Sequence, residues 1–342
     1  MTPIDTLPKA FLDRAQKKPR RTAMRWKRLG IWRDITWSEY LEKVKRVALG
    51  LHALGVRRGD HVAIIGENKP EWLYCAFGAM CSGAVYVGIY TTSPAKECEY
   101  VVGHSGSVVY LCEDEEQFDK ALAFRDQTPA LRKMIVWDME GLKHFQDPML
   151  MSFEDLLELG RKTDSENPGL FADLLEQTRP DDTAGIIYTS GTTGMPKGAM
   201  LTQEGCLWMG QKVCQVARIT ENDETISFLP LNHIFEQIFD FLVHIVVGHI
   251  INFTENTDTV MSDMKDISPT IFHAVPRIWE KYHSSIIIRM DDATRFKRLA
   301  YRTAIRIGTA YNDLALSGRR PSLPLAAAYR LASFAVFRKL KK

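Results

Sequence analysis

The sequence predicts an α/β protein with mostly parallel sheets covered by helices. Three observations carry that prediction. Between residues 36 and 111, short β-branched runs alternate with apolar residues at helical spacing, the pattern that builds strand–helix–strand units. At Ala184–Tyr188 an apolar, β-branched run is followed at once by a dense run of Ser, Thr and Gly, as where a buried strand ends in a ligand loop. The composition, 45% hydrophobic and 25% charged over 342 residues, is that of an ordinary globular chain too long for a single core.

Taken in order, the N-terminus MTPIDTLPKAFLDRAQKKP has no apolar leader, so secretion is not expected and a cytoplasmic protein is. Thr36 and Glu39 form a capping-box pair, and Tyr40, Leu41, Val44, Val47, Ala48, Leu51 and Leu54 continue at helical spacing to Gly55, predicting an amphipathic helix. His61–Ile65 reads as a strand, residues 66–69 as a turn, and Pro70 as the first residue of a helix that runs to Ser82 and stops at Gly83. Ala84–Val87 and Ser107–Leu111 read as further strands, with a helix starting at Ser93-Pro94 between them. The stretch from Glu113 to Pro180 is more polar and is expected at a subdomain margin, with only a strand at Met134–Trp137 and a helix from Ser152.

From Thr189 to Gly198 the composition neither continues a strand nor starts a helix. Gly191, Gly194 and Gly198 allow backbone N–H groups to converge on an anion, Thr189, Ser190, Thr192 and Thr193 add hydroxyls, and Lys197 adds a mobile positive charge. A polyphosphate is the ligand this chemistry suits. The spacing is not that of a Walker A loop, because Lys197 is preceded by Pro196 and followed by Gly198. Thr202 is expected to cap a helix reaching about Ile219, and Thr225–Leu229 to form a strand ending at Pro230. In Phe228–Gln237, FLPLNHIFEQ, a His inside an apolar run is by itself more often a partnered core histidine than a catalytic one. Ile234–Val247 carries Glu236, Asp240 and His244 and is too short to span a bilayer, so a buried helix is expected. Thr270–Val275 reads as a strand, and Lys281 to Lys342 as a long basic helical stretch.

The net charge of +2 conceals an asymmetry: Arg289 to Lys342 holds thirteen Lys or Arg against three Asp. A solvated helical face is the plainer explanation, with weak attraction to an anionic membrane surface, on its inner face, as a secondary one. No nucleic-acid motif or stacking pattern accompanies the charge. Six cysteines without CxxC or zinc spacing read as scattered core thiols.

YTSGTTGMPKGAMLT, residues 188–202, closely resembles the signature of the adenylate-forming enzymes: acyl-CoA synthetases, luciferases and peptide-synthetase adenylation domains. FLPLNHIFEQ is similar to the PLxHxxE block of that family, and TIFHAVPRIWEKY to the VPRxxEK segment of its long-chain members. The resemblance, from about Ala10 to the C-terminus, implies the N-terminal part of a long-chain fatty-acid–CoA ligase. It implies the acyl-CoA synthetase/luciferase-like N-terminal domain, incomplete at its C-terminal side: residues 1–342 would be the AMP-binding domain, residues 281–342 a basic helical segment within it, and the C-terminal lid domain would be absent. The Gly-Gly-Ala-Pro-Leu, Tyr-Gly-x-Thr-Glu and Thr-Gly-Asp blocks of the family would follow Lys342. ATP, Mg²⁺ and CoA are the implied cosubstrates and metal, and a fatty acid the substrate.

In the implied reaction a carboxylate attacks the α-phosphate of ATP, and CoA then displaces AMP. By position in the motif, Thr189 would contact Mg²⁺, and Ser190, Gly191, Thr192, Thr193, Gly194 and Lys197 would hold the β- and γ-phosphates. His233 and Glu236 would border the acyl-adenylate pocket, and Lys197 and His233 would be the catalytic contributors of an otherwise incomplete site. Two alternatives stay open: a non-catalytic fragment that binds nucleotide or partners, and a fatty acyl-AMP ligase that loads a carrier protein. The sequence leaves the oligomeric state open.

Overall fold

The structure, a computed structural model, describes residues 3–189 and 195–340. Ser190, Gly191, Thr192, Thr193 and Gly194, five of the residues assigned above to the phosphates, lie outside the described residues. The chain divides into two compact units between Ile271 and Phe272.

The first unit begins with helix α1 (Leu7–Lys17) and the antiparallel pair β1 (Thr22–Arg28) and β2 (Ile31–Thr36). Helix α2 (Trp37–Ala53) starts at the expected capping box: the Thr36 hydroxyl accepts from the Glu39 N–H and the Glu39 carboxylate accepts from the Thr36 N–H, joining two otherwise orphaned donors reciprocally. The alternation follows as β3 (His61–Ile65), α3 (Pro70–Cys81), β4 (Val85–Ile89), α4 (Ala95–Ser105) and β5 (Val109–Cys112). Eleven of the twelve residues of α3 are buried, all but the half-buried Glu71, so its sequence shows no polar face.

The polar middle holds more structure than the sequence suggests. It forms α5 (Glu115–Phe124), β6 (Lys133–Val136), β7 (Leu150–Ser152), α6 (Phe153–Glu166) and α7 (Leu170–Glu176). Asp114 and Ser152 cap α5 and α6 through their side chains, and α6 covers α2 so closely that the Leu156 carbonyl lies 2.6 Å from where a Cβ on Gly50 would sit. That region adds β6 and β7 at one edge of the larger sheet. The strand expected at Met134–Trp137 is β6 and the helix expected from Ser152 is α6, whereas β7, with three residues, is too short to carry a pattern.

β8 (Thr183–Thr189) and β9 (Lys197–Thr202) complete a seven-stranded sheet of order β7-β6-β5-β3-β4-β8-β9, parallel except for β9. β9 corrects the sequence reading, which made Lys197 and Gly198 part of the loop. They are ladder residues, paired with Thr189 and Tyr188. A glycine and a charged side chain are poor strand formers by propensity, and the partner strand overrides it. Both faces of this sheet are covered: Val62, Ile64, Val109 and Leu111 join one core and Ala63, Ile65, Tyr110 and Cys112 the other, the period of two that a pleated strand imposes.

α8 (Gln203–Ala217) is capped by the Thr202 hydroxyl as expected. β10 (Glu224–Ser227) and β11 (Ile250–Phe253) join β1 and β2 in a second sheet, β10-β11-β1-β2. Between β10 and β11 the expected buried helix forms as α9 (Ile234–Gln237), a π-helical stretch Ile238–Val243, and α10 (His244–Val247). Phe241 of the π stretch stacks on Phe77 at 5.0 Å, and Trp37 stacks on His244 at 4.6 Å, tying this segment to α2 and α3. α11 (Val260–Ile267) ends the unit. The strand expected at Thr270–Val275 is absent: Ile271 donates to the Glu224 carbonyl, and residues 271–275 have no regular structure. β-branched residues without a continuous partner ladder do not make a strand.

The second unit is helical: α12 (Pro276–Asp291), α13 (Arg295–Leu316), α14 (Leu323–Ala332), a π-helical stretch Ser333–Phe337 and α15 (Arg338–Leu340). Tyr311 stacks face to face on Tyr329 at 4.1 Å, and the Phe337 ring fills the space beside Gly308, joining α13 to α14. Among the described residues no helix is long and apolar enough to cross a membrane. All six cysteines are buried and free.

Candidate functional site

The parallel strands β3, β4 and β8 lie side by side and end at the same edge of the large sheet. In open α/β sheets the carboxyl ends of strands are where ligands bind, because loops diverge there and helix N-termini point inward. Three segments meet at this edge: the turn after β3, the stems of the Gly/Thr-rich loop, and Phe228–Gln237.

The stems are β8 and β9. Thr189 and Lys197 face each other in register, both exposed, so the last hydroxyl before the loop and its one lysine stand across the loop mouth. Behind them Tyr188 is buried, and its ring lies against Gly198 at 3.4 Å from where a Cβ would be. Its hydroxyl is hydrogen-bonded to His104 Nδ1 at 2.7 Å, and burial pushes the phenol up to about 12, so it stays protonated. The outgoing stem is held by Tyr100, whose hydroxyl donates to the Pro196 carbonyl at 3.1 Å.

Phe228–Gln237 is fixed by buried polar groups. Asn68, in the turn after β3, donates to Ser227 Oγ and the Leu229 carbonyl and accepts from the Leu231 N–H. Asn232 packs on β4 at Gly88, where a Cβ would sit 2.8 Å from the Asn232 Cβ; only glycine permits that approach. Gln237 accepts from the Tyr86 hydroxyl and donates to the Leu231 carbonyl. Glu236 is fully buried, and its Oε1 accepts from the Phe228 and Leu229 N–H groups at 3.0 and 3.2 Å. Burial raises its carboxyl to about 8, against the opposing pull of these hydrogen bonds. At neutral pH it is a largely neutral acid, able to accept on one oxygen and donate from the other.

His233 is exposed at the N-cap of α9, where its Nδ1 accepts from the Phe235 N–H. Thus Thr189, Lys197, His233 and Glu236 all belong to segments at the carboxyl edge, three of them exposed and Glu236 braced inside. Sequence reasoning passed over Asn68, Tyr100, His104 and Tyr188. Asn68 falls in a turn that reads as turn chemistry alone, and Tyr100 and His104 are four apart on a helix where only the i, i+4 spacing hints that they share a face. The depression lined by Arg58, Glu176, Gln177 and Arg179 lies elsewhere, with Arg58 before the amino end of β3.

The chain is similar to known proteins over most of its length. The family model for AMP-binding enzymes matches residues 11–327. The chain is 32% identical over 344 residues to the human long-chain-fatty-acid–CoA ligase ACSBG2, covering 99% of this chain and 50% of that protein, so it spans about half the length of the curated relatives it matches. Among solved structures, it resembles the N-terminal domain of FACL13 from Mycobacterium tuberculosis, with a TM-score of 0.65 and 22% identity over 80% of this chain and 64% of that one. The anthranilate CoA ligase AuaEII, solved with anthranoyl-AMP, superposes with a TM-score of 0.67 at 24% identity, covering 79% of this chain and 49% of that one. These two show the fold; the match over residues 11–327 shows more, and the chain belongs to the AMP-binding enzyme family.

Proposed function

We propose that this chain carries the phosphate-binding half of an adenylating site, and that the activity it serves is ATP-dependent conversion of a long-chain fatty acid to acyl-adenylate and then to acyl-CoA. The observation that carries the reading is the loop mouth: Thr189 and Lys197 opposed across the ends of β8 and β9, at the carboxyl edge of a parallel sheet. Lys197 and the loop donors would bind the β- and γ-phosphates and offset charge on the departing pyrophosphate while the carboxylate attacks the α-phosphate. Such transfer needs positioning and charge more than covalent help from protein. Thr189 offers a hard oxygen at the mouth, which fits Mg²⁺, an ion that takes few protein ligands and shares the phosphates. The ion would add positive charge at the leaving group. His233 would border the acyl-adenylate pocket, with Glu236 bracing the segment from behind.

Calorimetric titration with MgATP tests this reading. Binding weakened tenfold or more in Lys197→Ala is expected, and equal affinity in both proteins would refute it. Single-turnover assay with palmitate then separates catalysis from nucleotide binding alone, and supplying either CoA or a carrier-protein thiol identifies the acceptor. Membrane attraction is a further part of the proposal, supported by exposed Leu323, Leu331 and Phe334 near Arg330 and Arg338; co-sedimentation with anionic against neutral vesicles checks it.

A further inference from the structure

The two stems of the loop are gripped by one face of one helix. Tyr100 and His104 are one turn apart on α4, their rings stacked with centroids 5.2 Å apart and planes inclined by 24°. Tyr100 reaches the outgoing stem through the Pro196 carbonyl at 3.1 Å, and His104 reaches the incoming stem through the Tyr188 hydroxyl at 2.7 Å. Tyr188 meets both rings edge-on, at 6.4 Å from Tyr100 and 5.8 Å from His104. Its own ring lies against Gly198 of the outgoing stem. The three rings therefore form a closed set: each touches the other two, and together they contact both sides of the loop mouth.

We propose that Tyr100 and His104 are positioning residues that set the separation and register of the loop mouth, and through it the placement of Thr189 and Lys197 for phosphate. β9 is an edge strand, paired on one side only, so its ladder alone holds it from that side only. The aromatic set supplies a second attachment, from a helix packed on the face of the sheet that holds Tyr188. Two aromatic contacts and two hydrogen bonds at a half-exposed position hold the stem without burying a charge, and the tyrosine hydroxyls act at fixed distance because their rings are packed. Both residues act through the stems, by their bonds to Pro196 and Tyr188.

The part of this proposal that concerns phosphate rests on the adenylating reading; the part that concerns the stems does not. Hydrogen exchange followed by mass spectrometry on the full chain tests the stems directly. Tyr100→Phe keeps the stack and loses the bond to Pro196, and His104→Phe keeps a ring and loses the bond to Tyr188. Each is expected to speed exchange in residues 195–202 about fivefold, as loss of one neutral hydrogen bond implies, and to leave residues 61–65 and 85–89 unchanged. Unchanged rates in 195–202, or a uniform rise through the sheet, would overturn the proposal. MgATP and inorganic pyrophosphate are then titrated into the same proteins. Affinity reduced about fivefold in Tyr100→Phe, with wild-type thermal stability, supports positioning for phosphate. Equal affinity despite faster exchange overturns it. If the wild type binds neither ligand, both the adenylating reading for this chain and the phosphate part of the proposal fail, and the exchange rates still decide whether the rings hold the stems.

Discussion

The loop stems and the Phe228–Gln237 segment meet at the same edge of the sheet, yet they are held by opposite means. The stems are held by three rings and two part-buried hydrogen bonds, with Tyr188 buried and Thr189, Lys197 and His104 exposed. Phe228–Gln237 is held from inside, by Asn68, Glu236 and Gln237, the last two fully buried. Buried polar groups that are satisfied rigidify a segment and are costly to disturb, whereas exposed groups contribute little to stability and stay free for a ligand. The difference fits the proposed division of roles, in which the inner segment would be the fixed wall and the stems the part that meets phosphate.

That separation breaks most visibly at Glu236. Glu236→Ala would leave the Phe228 and Leu229 N–H groups without their acceptor, and it is expected to cost about 3 kcal/mol at roughly 1–3 kcal/mol per unsatisfied buried group, read from the urea midpoint. Glu236→Gln keeps an acceptor and is expected to lose less. The pH dependence sharpens the same point. Because the folded carboxyl is raised from 4.5 to about 8, the folded state binds this proton more tightly than the unfolded chain. The stability it contributes is complete below about pH 4.5 and declines as pH rises from there to about 8. Denaturation series across that window should show the decline in the wild type and its loss in Glu236→Gln.

Gly88→Ala would drive a methyl into Asn232, whose Cβ is 2.8 Å and Cα 3.1 Å from the required position. Overpacking of this kind costs about 1–3 kcal/mol, and it would move the wall as well as weaken it, so nucleotide affinity should fall alongside the melting temperature. Asn68→Ala removes three hydrogen bonds and is expected to cost about 1–2 kcal/mol. The smallest stability effect belongs to Lys197→Ala, within about 0.5 kcal/mol for an exposed residue, although its effect on MgATP is the largest. A Lys197 variant that unfolds readily would contradict the division of labour.

Much of this arrangement was legible in the sequence, unevenly. Caps and prolines located α2, α3, α6 and α8 to within a residue or two, because Thr36, Pro70, Ser152 and Thr202 act locally. β9 was hidden because Lys197 and Gly198 become a strand only through pairing with β8, and Thr270–Val275 erred the other way, with strand-forming residues lacking a ladder. The pairing of β1 with β11 joins residues more than 220 positions apart, which no local pattern encodes. At the site, family resemblance marked Thr189, Lys197, His233 and Glu236, while the residues that hold them, Asn68, Tyr100, His104 and Tyr188, show themselves only when the turns and helices are placed together.

The most direct measurement is hydrogen exchange across the whole chain with and without MgATP. If the carboxyl edge binds phosphate, protection will concentrate in residues 183–202, extend weakly to 226–236, and disappear in Lys197→Ala. Protection confined to the region of Arg58, Gln177 and Arg179, or none at saturating nucleotide, would place the ligand elsewhere and contradict the assignment.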